Sequence, residues 1–341
     1  MNDTALSKKS KYSIVYLIPY FGKLPESFQM WLLSCKMNPS IDWLLLTDDK
    51  TEYDYPDNVH VSYMSYEDIK NRISSHFDFP VVINKPWRLC EYRPAYGEIF
   101  AKELKDYDFW GHCDMDLIWG DIRKFITDDM LERYDKIGFQ GHSTLYRNNY
   151  ETNARYKTII EGIPSYKDAF QSKEGTAFDE VGICRIYDAM GIEYYKETNF
   201  AHLDLFSNSF HLGHLPKEEE YKNNRQIIVW SKGKIFRYYI HNGRMHIEDE
   251  FMYLHTFMRP VTYKIDVYDE NEIYICYPDI VRRAKKNELT YRFIQKYGTC
   301  SALKFYIRVA VKYKHKLTVK KIVKNIIKKV KWAILRRKQI D

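Results

Sequence analysis

The stretch DFWGHCDMDLIWGD, residues 108–121, decides the fold. Phe109, Trp110 and Cys113 are side chains a core accepts, so the run reads as a buried strand whose carboxyl edge releases two carboxylates, Asp114 and Asp116, one residue apart. Alternation puts both on one side of the chain. Two acids that close repel unless a cation lies between them, and all-oxygen ligation suits magnesium or manganese rather than zinc. The pattern points to a site for a metal-bound phosphate.

Residues 13–22 (SIVYLIPYFG) read as a short apolar strand ending in a Pro-Tyr-Phe-Gly turn, and a helix is expected over Pro25 to Met37. Residues 42–49 (DWLLLTDD) and 59–65 (VHVSYMS) read as further strands, with a helix near Tyr66 to Phe77. The first two strands are apolar on both faces, which suits the interior of a mostly parallel sheet covered by helices. Ligands then gather at the carboxyl ends of the strands. Pro94 opens an expected helix carrying Tyr96, Ile99, Phe100 and Leu104, so Lys85, Arg88, Glu91 and Arg93 arrive at a helix entrance. Residues 136–148 read as one strand, 150–195 as mixed and more helical, and 226–267 as a small β-rich ending.

The net charge of +7 is unevenly placed. Residues 289–340 hold 16 Lys and Arg and no acid, which leaves the first 288 residues at −8. An acidic body with one basic end argues against nucleic acid and for a local tether. Val319, Ile322, Val323, Ile326, Ile327, Val330 and Ile334 recur at helical spacing, with Lys320, Lys321, Lys324, Lys328, Lys329 and Lys331 mostly opposite. The expectation is a basic amphipathic helix lying on an anionic membrane, with Trp332 at the interface. Docking on the acidic body is the alternative. Six scattered cysteines without a CxxC pair fit reduced thiols, and no signal peptide or membrane span is visible. The expected place is cytoplasmic, peripheral on the inner face of the cell membrane. The expected division is a flexible 1–11, a main domain 12–265, a helical connector 266–300 and the basic tail 301–341.

The strand with an aromatic turn, the strand ending Thr47-Asp48, the basic helix entrance and the block from Tyr107 to Asp121 together resemble a GT-A-fold nucleotide-sugar glycosyltransferase. The chain is especially similar to bacterial proteins that build surface polysaccharides such as capsule and lipopolysaccharide, and the resemblance runs from about Tyr12 to Pro260. It implies an α/β fold with a Rossmann-like sheet, and a hexosyltransferase using Mn2+ or Mg2+. It also implies a nucleotide-sugar donor, UDP-linked first, and a glycan or lipid-linked acceptor. By that likeness Asp114 and Asp116 hold the cation, with Asp114 also a candidate for the ribose, and His255 in FMYLHTFMRP stands as a third ligand. Pro19, Tyr20, Phe21, Thr47 and Asp48 surround the nucleotide, while Lys85, Arg88 and Arg93 are candidates for the diphosphate. Asp179 and Glu180 resemble the acidic pair beside an acceptor hydroxyl. Glu91 stands where related sequences carry Asp.

Two other readings stay open. A phosphohydrolase of the haloacid-dehalogenase type also places two aspartates after an apolar strand, but normally after its first strand and with Thr or Val two residues on; here three strands come first and Ile118 stands there. A membrane-tethered protein binding glycans or nucleotide sugars without turnover is the non-enzymatic alternative.

Overall fold

The computed structural model describes residues 10–203, 212–213, 216–256, 261–265, 268–269, 271–276, 280–285 and 287–298. The expected tail, 301–341, lies outside the described residues, as do residues 1–9. Among the described residues no helix is long and apolar enough to cross a membrane.

The central sheet has six strands: β1 (Ile14–Tyr20), β2 (Ile41–Thr47), β3 (Val59–Tyr63), β4 (Phe109–Cys113), β6 (Lys136–Ile137) and β7 (Ser143–Arg147). Their order is β3-β2-β1-β4-β7-β6. The first four run parallel, and β7 and β6 close the edge antiparallel. This is the expected α/β class with a mostly parallel sheet. Ile14 to Ile18 and all of β4 are buried, because both faces are covered: Phe28 and Trp31 pack on one, Ile69 and Ile73 on the other. Phe28 and Trp31 belong to the helix Phe28–Lys36, and Ile69 and Ile73 to the helix Tyr66–His76. Ser65 starts the latter with a capping box, accepting from the Asp68 N–H while the Asp68 carboxylate accepts from the Ser65 N–H.

One irregularity of this sheet positions the site. β1 pairs with β2 along its whole length but with β4 only from Ile14 to Tyr16. Beyond Tyr16 the two strands diverge, which tolerates Pro19 inside β1 and opens a fork where the strand order reverses.

A small sheet of β5 (Leu117–Trp119), β8 (Ala201–Leu203), β9 (Leu212–Gly213) and β13 (Tyr253–His255) continues directly from the aspartate segment, in the order β5-β13-β8-β9. A third sheet holds β10 (Gln226–Ser231), β11 (Lys234–His241), β12 (Arg244–Phe251), β14 (Thr262–Lys264), β15 (Ile273–Cys276) and β16 (Ile280–Arg283). Two of its hairpins turn on Lys232-Gly233 and Asn242-Gly243, all four residues having positive φ, the two-residue turn that matches strand twist.

Three expectations change. Residues 136–148 are not one strand but the β6/β7 hairpin, broken by the loop 138–142. The segment before the aspartates winds as a 3-10 helix from Pro86 to Ala95, with short α-turns at Tyr96–Ile99 and Ala101–Leu104, instead of a helix opened by Pro94. The expected helical connector 266–300 carries β15 and β16 before the helix Tyr291–Tyr297. Position 265 is no boundary, because β15 pairs with β10 and buries Ile273 and Ile275 in the same core.

Candidate functional site

Asp114 and Asp116 leave β4 at the fork, and their main chain is held from both sides. The Asp114 N–H donates to the His142 carbonyl at 2.9 Å, and the Asp116 carbonyl accepts from the N–H and the hydroxyl of Thr256, both at 3.0 Å. Thr256 follows β13, whose last residue, His255, pairs with Leu117 of β5. His255 Nε2 therefore stands 3.3 Å from Asp116 Oδ1 and 3.8 Å from Asp114 Oδ2. One ligand atom from each of the three residues lies within 4.8 Å of the other two. The two aspartate side chains are about 30% exposed against 3% for His255, so the cluster is backed by a buried imidazole and faces outward through its carboxylates.

The cleft in the fork holds about 460 Å³ and is lined by Pro19, Tyr20 and Phe21 from β1 and its turn, and by Asp114 and Asp116 from beyond β4. Its third wall is the 3-10 helix. Trp87, Cys90 and Arg93 line the cleft at the three-residue period of this helix, with Pro86 and Leu89 beside them and Tyr96 just past its end. Trp87, half exposed on the lip, is a site residue the sequence reading does not name.

Arg93 ties the acids together. Its Nη2 donates to Asp114 Oδ1 at 2.5 Å, and its Nη1 to Asp179 Oδ2 at 3.0 Å and to the Gly141 carbonyl at 2.8 Å. Asp179 and Glu180 begin a π-helical turn, Phe178–Gly182, entered through Ala177 in the left-handed region at φ 54°. Burial pushes the Asp179 carboxyl up to about 7, against the pull of Arg93. Glu180 is raised too, by burial first and by the charge of Asp114 next. A Cβ at Gly141 would lie 2.9 Å from Asp179 Oδ2, so a larger residue there would push that carboxylate aside.

The structure thus brings Pro19, Tyr20, Phe21, Arg93, Asp114, Asp116, Asp179, Glu180 and His255 to one region; of the other expected residues, Arg88, Thr47 and Asp48 bond to the chain itself and Lys85 stands exposed. Arg88 is fully buried and donates to the carbonyls of Ala169, Ser172 and Glu174, so it is no phosphate ligand. Thr47 is buried and its hydroxyl accepts from the Asp49 N–H. Asp48 accepts from the Gly22 N–H at 2.7 Å, holding the turn after β1, where Gly22 has φ 94°. Lys85 is exposed at the start of the 3-10 helix and is not among the cleft-lining residues.

Glu91 gains a defined role. Its Oε1 accepts from the N–H groups of Thr176 and Ala177 at 2.7 and 3.1 Å, and its Oε2 from the Thr176 hydroxyl and the Phe178 N–H at 2.5 and 3.0 Å. One carboxylate holds the strained entrance to the turn that carries Asp179.

His142 and His202 are the other residues missing from the sequence reading. β8 runs parallel to β13 with His202 opposite His255, and their Nδ1 atoms are 3.0 Å apart. His142, just before β7, packs its ring 4.3 Å from that of His255. Nothing local in the sequence signals this; it needs the register of β8 against β13.

Among solved structures, the galactosyltransferase LgtC with donor and acceptor sugar analogues aligns at 12% identity and a TM-score of 0.32, covering 56% of this chain and 75% of that one. Mouse xyloside xylosyltransferase 1 aligns at 10% and 0.38, covering 73% and 99%. Glucosyl-3-phosphoglycerate synthase from Mycobacterium tuberculosis, with Mn2+, uridine diphosphate and phosphoglyceric acid, aligns at 12% and 0.30, covering 55% and 68%. No curated protein matches by sequence. Residues 16–284, spanning all three sheets, match the model of a family of unknown function, DUF6625, and the chain belongs to that family.

Proposed function

We propose that the protein is a metal-dependent glycosyltransferase of GT-A architecture. In this reading it moves a hexose from a nucleotide diphosphate sugar, UDP-linked first, to a lipid-linked or surface-polysaccharide acceptor. One observation carries the reading: Asp114, Asp116 and His255 converge on the edge of a cleft that opens where β1 and β4 part. Two carboxylates and one imidazole fit Mn2+ or Mg2+, and the outward-facing carboxylates leave room for phosphate oxygens. Such a cation, when bound, neutralises charge on a departing diphosphate.

The chain's own residues would do the rest. Tyr20 and Phe21 wall the pocket for the nucleoside, with Trp87 on its lip. Arg93 fixes the orientation of Asp114 and holds Asp179 in the same network. Asp179, with its carboxyl near 7, suits the removal of a proton from an acceptor hydroxyl, since a base works best with a pKa close to the operating pH. The basic tail would bring the domain to the cytoplasmic face of a membrane, where lipid-linked acceptors are met.

The test is transfer or hydrolysis of a UDP- or GDP-hexose by purified protein with Mn2+. Asp116→Ala is expected to lower the rate at least about a hundredfold. Full activity in that variant would sink the metal assignment. A thermal shift with nucleotide diphosphate only in the presence of Mn2+ would fix donor class and cation together.

A further inference from the structure

Behind the aspartates stands a second set of ligand groups of different chemistry. His142, His202 and His255 are 6%, 8% and 3% exposed, and one ligand nitrogen from each lies within 4.8 Å of the other two. Imidazoles bind zinc at about 2.0–2.1 Å, so two of them on one tetrahedral ion stand roughly 3.4 Å apart. His202 Nδ1 and His255 Nδ1, at 3.0 Å, already sit near that edge length. The third nitrogen, within 4.8 Å of the other two, has to close to the same edge length to complete the set. His142 Nδ1 lies 3.0 Å from the Tyr253 hydroxyl, the outer hydrogen bond that orients metal-bound histidines, which assigns Nε2 as its ligand atom.

We propose that His142, His202 and His255 form a site for a borderline divalent cation, zinc first, separate from the carboxylate site and antagonistic to it. Three neutral nitrogen ligands in a buried setting favour Zn2+ over Mg2+ or Mn2+, which prefer oxygen. The antagonism follows from His255, which belongs to both clusters. A neutral imidazole has one lone-pair nitrogen and one N–H. With zinc on Nδ1, the proton sits on Nε2 and donates toward Asp116 Oδ1, 3.3 Å away, so His255 is lost as a ligand there. With a cation at Asp114 and Asp116 ligated by Nε2, Nδ1 carries the proton and donates to His202. Each ion weakens the other by the same factor, as binding linkage requires. Zinc binding stands apart from the glycosyl-transfer reading; its role as an inhibitor of that activity rests on it.

The experiment uses the full chain, stripped of metal, and reads binding without any turnover. Zn2+ titrated by calorimetry is expected to bind at one site per chain, with affinity lowered about a hundredfold or more in His202→Ala and in His142→Ala but kept in Asp116→Ala. X-ray absorption of the wild-type zinc complex should show three imidazole nitrogens near about 2.0 Å, a readout that does not depend on how any variant folds. Mn2+ binding followed by electron paramagnetic resonance should weaken about tenfold or more when one equivalent of Zn2+ is added to wild type, and not in His202→Asn. Zinc affinity unchanged by both histidine variants, or abolished by Asp116→Ala, or an oxygen-rich zinc shell, would overturn the site. Mn2+ binding indifferent to bound zinc would overturn the antagonism.

Discussion

Replacing Glu91 with Gln changes one buried atom and should cost more than its size suggests. In the wild type each carboxylate oxygen accepts two hydrogen bonds, and all four donors come from residues 176–178. A glutamine keeps the pair from Thr176 N–H and Ala177 N–H on its oxygen and turns its amide nitrogen toward the other two. The Thr176 hydroxyl can rotate and accept; the Phe178 N–H cannot. Two donors then face each other in a site where Phe178 is 1% exposed, and an unsatisfied buried donor costs about 1–3 kcal/mol. Arg88 Nη1, 3.3 Å from Glu91 Oε1, also loses its carboxylate while keeping its carbonyl partners, which adds about 1 kcal/mol. The expected destabilisation is about 3 kcal/mol, read from urea unfolding of both proteins. Ala177 gives the local consequence. A non-glycine residue in the left-handed region is disfavoured by about 1–2 kcal/mol, and without the Glu91 grip that strain pulls the turn away from the cleft. Asp179 and Glu180 move with it, so transfer should fall about tenfold or more, while nucleotide affinity, set by β1 and the aspartates, changes little. A Glu91→Gln protein within about 0.5 kcal/mol of wild type would refute the reasoning.

Three further outcomes concern charge. Because the Asp179 carboxyl is raised to about 7 from an ordinary 3.8, the transfer rate should climb as pH rises through about 7, and Asp179→Asn should lose both the rate and the step. The folded chain holds this proton where the unfolded chain releases it, so its contribution to stability is complete below about 4 and lost as pH rises through about 7. Asp179→Asn should flatten the stability profile across that window, measured by denaturant unfolding at stepped pH. Removing residues 301–341 should abolish sedimentation with anionic vesicles, since each Lys or Arg near such a surface contributes about 1 kcal/mol; binding that survives the deletion would place the membrane contact elsewhere.

What the sequence discloses about the site follows from how local each signal is. Asp114 and Asp116 are legible because strand alternation is a property of neighbouring residues, and β4 is buried from end to end. The early strands and their two helices are legible for the same reason, within two residues at every end except Pro25, which is three early. His255 is reached only through a resemblance, and His142 and His202 not at all, because a parallel pairing across residues 202 and 255 leaves no mark on either strand alone. Likewise β15 is a four-residue strand between acidic flanks and β16 runs into the basic Arg282-Arg283, and only the pairing of β15 onto β10 and of β16 onto β15 shows that the core continues past 265.

The basic helix entrance shows how a correct segment can be divided wrongly. Arg88 and Arg93 stand five residues apart, and a helical period of 3.6 offers no clean rule for which of them faces the cleft. In a 3-10 helix the period is three, so Trp87, Cys90 and Arg93 form one row in the cleft wall, next to Pro86 and Leu89, while Arg88 and Glu91 share the row that does not line it. That division has a chemical consequence. Arg88 and Glu91 face the segment 169–178 and meet its backbone carbonyls and N–H groups, and Arg93 alone reaches the acids at the fork. Basic side chains of one short stretch thus take opposite duties: one builds the wall that carries Asp179, and the other bonds to Asp179 once it is there. The position of Asp179 depends on both, which is why a change at Glu91, outside the cleft lining, is expected to be felt inside the cleft.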